Sequence, residues 1–188
     1  MTPSLAAAAQ PSYPARPIRL IVGSVAGGGN DIVARIISAR MSELIGQQVI
    51  VDNRGGANGI IGTGLVAKSP PDGLTMLVVP SGFATNPSIY PNLPYDQQRD
   101  LAAVSQLAAG PLVFAVHPSL PVKSVRDLVA LARAHPGQLN YASGATGSSN
   151  HFAAELFNYM AGVKIIRVPY KGAGTALIDL VGGQVQLM

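Results

Sequence analysis

The chain has 188 residues, 48% hydrophobic and 12% charged, with a net charge of +4 and no cysteine. That length buries one good core or two small ones, and the balance is that of a folded α/β protein rather than a disordered one. No apolar stretch nears the roughly 20 residues that cross a bilayer, thiolate and disulfide chemistry are excluded, and scattered cations with 5% aromatic residues give no footprint for nucleic acid.

Residues 1–12, with the small-residue run Ala6–Ala9, read as a signal remnant or a flexible tail. Ile18–Val22 (IRLIV) is a short β-branched run, expected as a buried strand. After the turn "VAGGGND", the residues Val33, Ile36, Ile37, Met41 and Leu44 recur at helical spacing, and Gly46 closes the helix. Val49–Val51 reads as a second strand. The loop "DNRGGANG" and a helical stretch to Lys68 follow, then the turn "SPPDG" and a third strand, Thr75–Val79. Strand and helix alternate, which predicts a parallel, wound sheet.

Pro87, Pro91 and Pro94 break that rhythm between Ser81 and Asp100. From Leu101 it resumes. Strands are expected at Leu112–Val116, Leu139–Ala142, Ile165–Val168 and, beginning, at Val185–Met188. Helices are expected at Ser124–Ala134, with a Ser124/Asp127 cap, at Ser149–Met160, with Phe152, Leu156 and Tyr159 on one face, and at Ala173–Val181. The expected division is a first lobe over 13–100 and a second over 101–188. The chain stops inside an element, so both lobes are expected to be incomplete, with apolar surface left exposed or covered by a second copy.

Two glycine-rich strand-to-helix loops stand out. The turn around Gly27, Gly28 and Asp31 lacks the dinucleotide and P-loop spacings, yet glycines bare the backbone N–H groups and the following helix start favours an anion. Asp31 is itself an anion, and capping the helix is its alternative role. In "YASGATGSSNH" the hydroxyls of Ser143, Thr146, Ser148 and Ser149 and the Gly147 backbone offer donors to a carboxylate, or else Ser148 or its neighbour merely caps a helix. Ser81 and the segment "PYKGAG" follow two further strands, where open α/β sheets hold ligands; Lys171 there is either a charge for the site or a solvated lysine. The spacing around Ser148 is not a nucleophile elbow; an α/β hydrolase or transferase using Ser148 or Lys171 is one competing reading, and a truncated fragment with no ligand-binding activity is the other. His117, His135 and His151 stand far apart, so neither a metal nor any other cofactor is expected.

Six segments in order, "AGGGNDIVAR", "VDNRGGANGIIG", "SPPDGLTML", "LPYDQQRD", "PGQLNYASGATGSSNHFAAELF" and "VPYKGAGTALIDLVGGQVQLM", resemble the tripartite tricarboxylate transporter substrate-binding proteins, the Bug receptors. The resemblance runs from Tyr13 to Met188. It implies a periplasmic binding protein-like type II fold of two wound α/β lobes around a cleft, hinged near Tyr95–Leu101. It further implies a periplasmic receptor that passes small organic carboxylates to membrane components of a tripartite transporter and catalyses nothing. Matched position by position, the ligand contacts it implies are the backbone of Ala26, Gly27 and Gly28, then Ser81, Ser143, Thr146, Gly147 and Ser148. Where the family reads Val-Pro-aromatic, this chain has Val22-Gly23-Ser24, which implies a wider or wetter pocket and adds the Ser24 hydroxyl. Gly55 stands where a proline is usual, which loosens that loop.

Overall fold

In the computed structural model, which describes residues 13–188, Ile18–Val22 (β1) lies at the centre of a three-stranded parallel sheet. The reading of residues 1–12 lies outside the described residues. Val49–Asn53 (β2) and Thr75–Val78 (β3) flank β1, with Ile21 opposite Asp52 on one side and Leu77 on the other. A strand paired on both edges and covered on both faces reads as an unbroken apolar run, and Ile18, Ile21 and Val22 are each at most 1% exposed. Burying each such side chain contributes about 1.5–3 kcal/mol.

Helix Gly29–Ile45 (α1) returns the chain from β1 to β2 and ends at Gly46, whose left-handed backbone lets its N–H bond Ser42 O at 3.1 Å. Of the expected apolar face Val33, Ile37 and Met41 are half-buried, and Ile36 and Leu44 need correction. Asp31, Ala34 and Ser38 form the buried line, with Met41 beside it, while Ile36 and Leu44 point outward at 65% and 68% exposure. The period is helical but the phase differs, because small side chains at the contact line bring the helix close to the sheet. Residues Ala57–Gly59 form a 3-10 turn before Ile60–Ala67 (α2), the crossover to β3.

Beyond β3, a 3-10 turn at Ser81–Thr85 leads into the single turn Asn86–Ile89 (α3). A turn at 96–100 follows, in which the Asp100 N–H bonds Asp96 O at 2.9 Å. Residues 101–114 then run without regular structure and largely exposed.

A second sheet holds Asn140–Ser143 (β4) parallel to Ile166–Pro169 (β5), with Tyr141 opposite Arg167. Helix Val125–Ala134 (α4) starts as expected, with Ser124 Oγ accepting the Asp127 N–H at 3.2 Å. Helices Ser149–Ala161 (α5) and Ala173–Val181 (α6) complete this half. Leu128, Ala132, Tyr141, Ile165 and Leu187 form one buried cluster and Ala142, Ala176, Leu180 and Val185 another. The stripe Phe152, Leu156 and Tyr159 faces outward on α5; Ala154 and Phe157 are the residues that pack inward.

The strand expected at Leu112–Val116 is not formed. Only Val116 makes a bridge, antiparallel to Leu187, supported by Ala115 N–H to Met188 O and His117 N–H to Gln186 O, both 2.9 Å. A strand needs a neighbour along its length, and Gln186–Met188 reaches only Ala115–His117. Leu112, Val113 and Phe114 are therefore exposed, although Phe114 sets its ring 4.8 Å from that of Phe157. Leu187, bridging Val116 and Tyr141, is all that forms of the strand expected to begin at Val185.

Candidate functional site

The loops singled out in the sequence all leave the carboxyl ends of parallel strands: Ser24–Gly28 after β1, Ser81 after β3, and Gly144–Ser148 after β4. At the first, Gly28 is the N-cap of α1 and Asp31 lies in its first turn, so the capping role expected of Asp31 is modified. Its Oδ2 accepts the Gly27 N–H at 2.8 Å and the Arg35 Nε–H at 3.0 Å, which ties the glycine turn to the helix. These two bonds, Arg35 first, hold the Asp31 carboxyl down at about 2. The Gly27 N–H is thus already satisfied. Ile32 is the first residue bonded within the helix, to Gly28 O at 3.0 Å, so the N–H groups of Gly29 and Asn30 are helix-start donors.

Ser24 Oγ, the hydroxyl at the departure from the family pattern, is buried and has no hydrogen-bond partner among the described residues. Behind this loop lies Gly55. A side chain there would meet the Ser24–Val25 backbone at 2.9 Å, so glycine at this position permits close approach of the loops after β1 and β2.

At the second loop, Ser143 is fully buried, Gly147 is buried with a left-handed backbone, and Ser148 is the N-cap of α5. Ser148 Oγ donates to Asn150 Oδ1 at 2.6 Å, and His151 Nδ1 accepts the Gly147 N–H at 3.2 Å. Each is therefore engaged away from the other, and they do not form a nucleophile–base pair. Burial, with the Arg167 charge second, pushes the His151 imidazole below its ordinary value, consistent with an acceptor nitrogen.

Arg167 is the residue that sequence reasoning missed. From β5 it donates Nε to Ser143 Oγ at 2.7 Å, Nη1 to Thr146 Oγ1 at 3.1 Å and Nη2 to Gly144 O at 2.8 Å. The signal was a cation inside the apolar run Ile165–Val168, where burial makes a charge costly. Lys171, the cation considered from sequence, is exposed.

The two halves meet at these loops. Gly147 O lies 3.2 Å from Thr85 Oγ1, whose proton has the nearer acceptor Gly82 O at 2.8 Å, and a Gly82 Cβ would be only 2.8 Å from Gly147 O. Tyr90 OH donates to Thr146 O at 3.1 Å, and Gly172 faces Val25 closely enough that a Cβ would meet Val25 Cγ2 at 2.8 Å. Beneath the contact, Asn58 Nδ2 donates to Gly82 O at 3.2 Å and to Asn86 Oδ1 at 2.8 Å, while Asn86 Nδ2 returns a bond to Asn58 O at 3.3 Å. Of the sequence-derived residues Ser81 alone lines the nearby depression of about 370 Å³, shared with Asn30, Phe83 and Gln106.

The family model described as Tripartite tricarboxylate transporter family receptor matches residues 33–188. The chain is 43% identical over 177 residues to a UPF0065 protein in the tcbD-tcbE intergenic region of Pseudomonas sp. strain P51, covering 94% of this chain and 53% of that one. It is 41% identical to Protein BugT of Bordetella pertussis, covering 93% and 54%. The chain thus spans about half the length of the curated relatives it matches. Among solved structures it is similar to R. palustris Rpa4515 with adipate (TM-score 0.89, 43% identity, 93% of this chain and 59% of that one). It is also similar to MatC from Rhodopseudomonas palustris with bound malate (TM-score 0.85, 32% identity, 94% and 60%). A third, the periplasmic binding protein BugD, gives a TM-score of 0.80 at 32% identity, over 94% and 59%. The fold is accordingly α/β of the periplasmic binding protein kind, and the chain belongs to the tripartite tricarboxylate transporter receptor family.

Proposed function

We propose that this chain carries the carboxylate-binding cleft of a periplasmic receptor that delivers small organic acids to the membrane components of a tripartite transporter. The observation that carries the reading is the meeting of the two halves through loops at the carboxyl ends of both sheets, Gly147 against Thr85 and Val25 against Gly172. In this reading residues 13–100 and 101–188 are the two lobes, joined by the extended run after Asp100. A guest carboxylate takes donors from the backbone around Ala26 and Gly28, from Ser24 and Ser81, and from the Ser143–Ser148 loop. The role is binding without chemistry, which the separate engagement of Ser148 and His151 supports. Self-association through the exposed run Val104–Phe114 belongs to the same reading, and light scattering reads it directly.

Native mass spectrometry of the chain, followed by thermal melting with adipate and malate, tests the function. An acid at one hundred times its dissociation constant adds about 2.7 kcal/mol, which for a chain of this size raises Tm by about 5–10 °C. A chain that no small carboxylate stabilises, and that retains none, refutes the reading.

A further inference from the structure

We infer that Arg167 is a positioning residue for the anion: it leaves the protons of the Ser143 and Thr146 hydroxyls free to donate and supplies the positive charge that favours a doubly over a singly charged guest. The inference rests on the cleft reading above. Its grounds are the bonds that Arg167 makes and the carboxylates that it does not meet.

Other arginines illustrate the contrast. Arg16, Arg19, Arg35, Arg40, Arg54 and Arg99 each lie within salt-bridge distance of an Asp or Glu. Among the described residues Arg126, Arg133 and Arg167 have no such partner, and of these three Arg126 and Arg133 are exposed while Arg167 is partly shielded from solvent. Its half-buried guanidinium is spent instead on three neutral oxygens of one loop. A cation drawn out of water onto neutral acceptors keeps an uncompensated field, and that field reaches the loop that the cleft reading gives to a carboxylate.

Hydroxyl chemistry supplies the second half. A hydroxyl has one proton to give and two lone pairs to accept with. Arg167 fills a lone pair on Ser143 Oγ and another on Thr146 Oγ1, so each proton is left to point elsewhere. Among the described residues the acceptor near the Ser143 proton is Gly144 O at 3.4 Å, a long contact, and Gly144 O already receives Arg167 Nη2. Among the described residues no carboxylate lies within salt-bridge distance of the guanidinium. His151 Nδ1 accepts the Gly147 N–H, and Glu155, whose charge acts on the same Tyr141 and His151 that feel Arg167, gives its Oε1 to Tyr141 OH rather than to the guanidinium. The planar fork matters as well as the charge, since three acceptors on residues 143, 144 and 146 are spanned by one guanidinium and a lysine reaches one at a time.

The test is calorimetric titration of the chain, wild type, Arg167→Gln and Arg167→Lys, with adipate and with its monoamide at 20 and 300 mM salt. The expected result is at least a tenfold loss of adipate affinity in R167Q, a smaller loss in R167K, and a weaker salt dependence in R167Q alone. Discrimination between adipate and its monoamide should fall in R167Q, a readout that mere loosening of the loop would not move. Should R167Q fail to give a cooperative melt, Thr146→Val removes one acceptor at an exposed position and is expected to cost adipate affinity about threefold. Wild-type affinity in R167Q or, where that variant does not fold, in T146V overturns the role of Arg167 while leaving the cleft in place. Equal losses for adipate and the monoamide, with salt dependence unchanged, also overturn it. A wild-type chain that binds neither acid overturns the cleft reading as well.

Discussion

Replacing Gly82 by alanine should loosen the contact between the halves without unfolding either. Its backbone is not in the left-handed region, so the cost lies in space alone. The new Cβ would stand 2.8 Å from Gly147 O, 3.1 Å from Asn58 Nδ2 and 3.3 Å from Asn58 Oδ1, where ordinary contact begins near 3.4 Å. Gly147 O must therefore retreat by about 0.6 Å, and it is a backbone atom of the other half, with no side-chain torsion to absorb the shift. That retreat carries the neighbouring Thr146 O away from Tyr90 OH, now at 3.1 Å, toward the limit of a hydrogen bond. A bond of this kind is worth about 0.5–1.5 kcal/mol, so if binding requires the halves together, affinity falls about 2- to 12-fold. Gly172→Ala is the control: its Cβ meets Val25 Cγ2 at the same 2.8 Å, but that methyl ends an exposed side chain free to rotate. Titration with adipate and melting with and without it compare the two. Wild-type binding in G82A, an equal loss in G172A, or an equal fall in the Tm of G82A with and without ligand refutes the steric contact as the cause.

Gly28→Asp should abolish carboxylate binding with Tm unchanged or raised. The site is an N-cap where Asp is favoured, the new Cβ clears Val25 O at 3.5 Å, and the added charge repels the guest; retained affinity for adipate would remove this loop from the site. Ser124→Ala removes the cap on α4 and should cost about 1 kcal/mol, or about 2–4 °C in Tm by calorimetry, with adipate binding untouched. Acid should act in two windows. The native His151 imidazole lies below 6.5, so the unfolded chain takes its proton first and stability falls as pH drops below 6.5 until the native imidazole titrates too. Asp31 contributes its stability above 3.8, and that contribution is lost as pH falls through about 2. Urea midpoints against pH should show the first window flattened in His151→Gln and the second left in place.

Sequence patterning carried far where one physical demand acted alone. IRLIV reads as a strand because both faces of β1 are buried, and Gly46 and Ser124 mark helix ends through their own backbone chemistry. It failed where a partner decides. The phase of α1 depends on how closely the sheet lets it approach, which Ala34 and Ser38 set and Ile36 does not. Leu112–Val116 has strand composition but only Gln186–Met188 beside its last part, and composition does not register a missing neighbour. Likewise in the candidate site, the glycine and serine loops announce themselves by content. Arg167 and the Asn58–Asn86 pair do not, because their partners lie some 20–30 residues away and meet them only after folding.

The central place of β1 has a consequence during synthesis. Among the described strands it leaves the ribosome before the others, yet both its hydrogen-bonding edges wait for strands that come later, the second ending only at Val78. At a translation rate of about 5–20 residues per second, the roughly 55 residues in between take about 3–11 s. Both edges of the nascent IRLIV segment are open until β2 ends at Asn53, and one stays open until Val78. It is therefore the stretch on which a holding chaperone gains most, and the first that a mistimed encounter between two growing chains would pair.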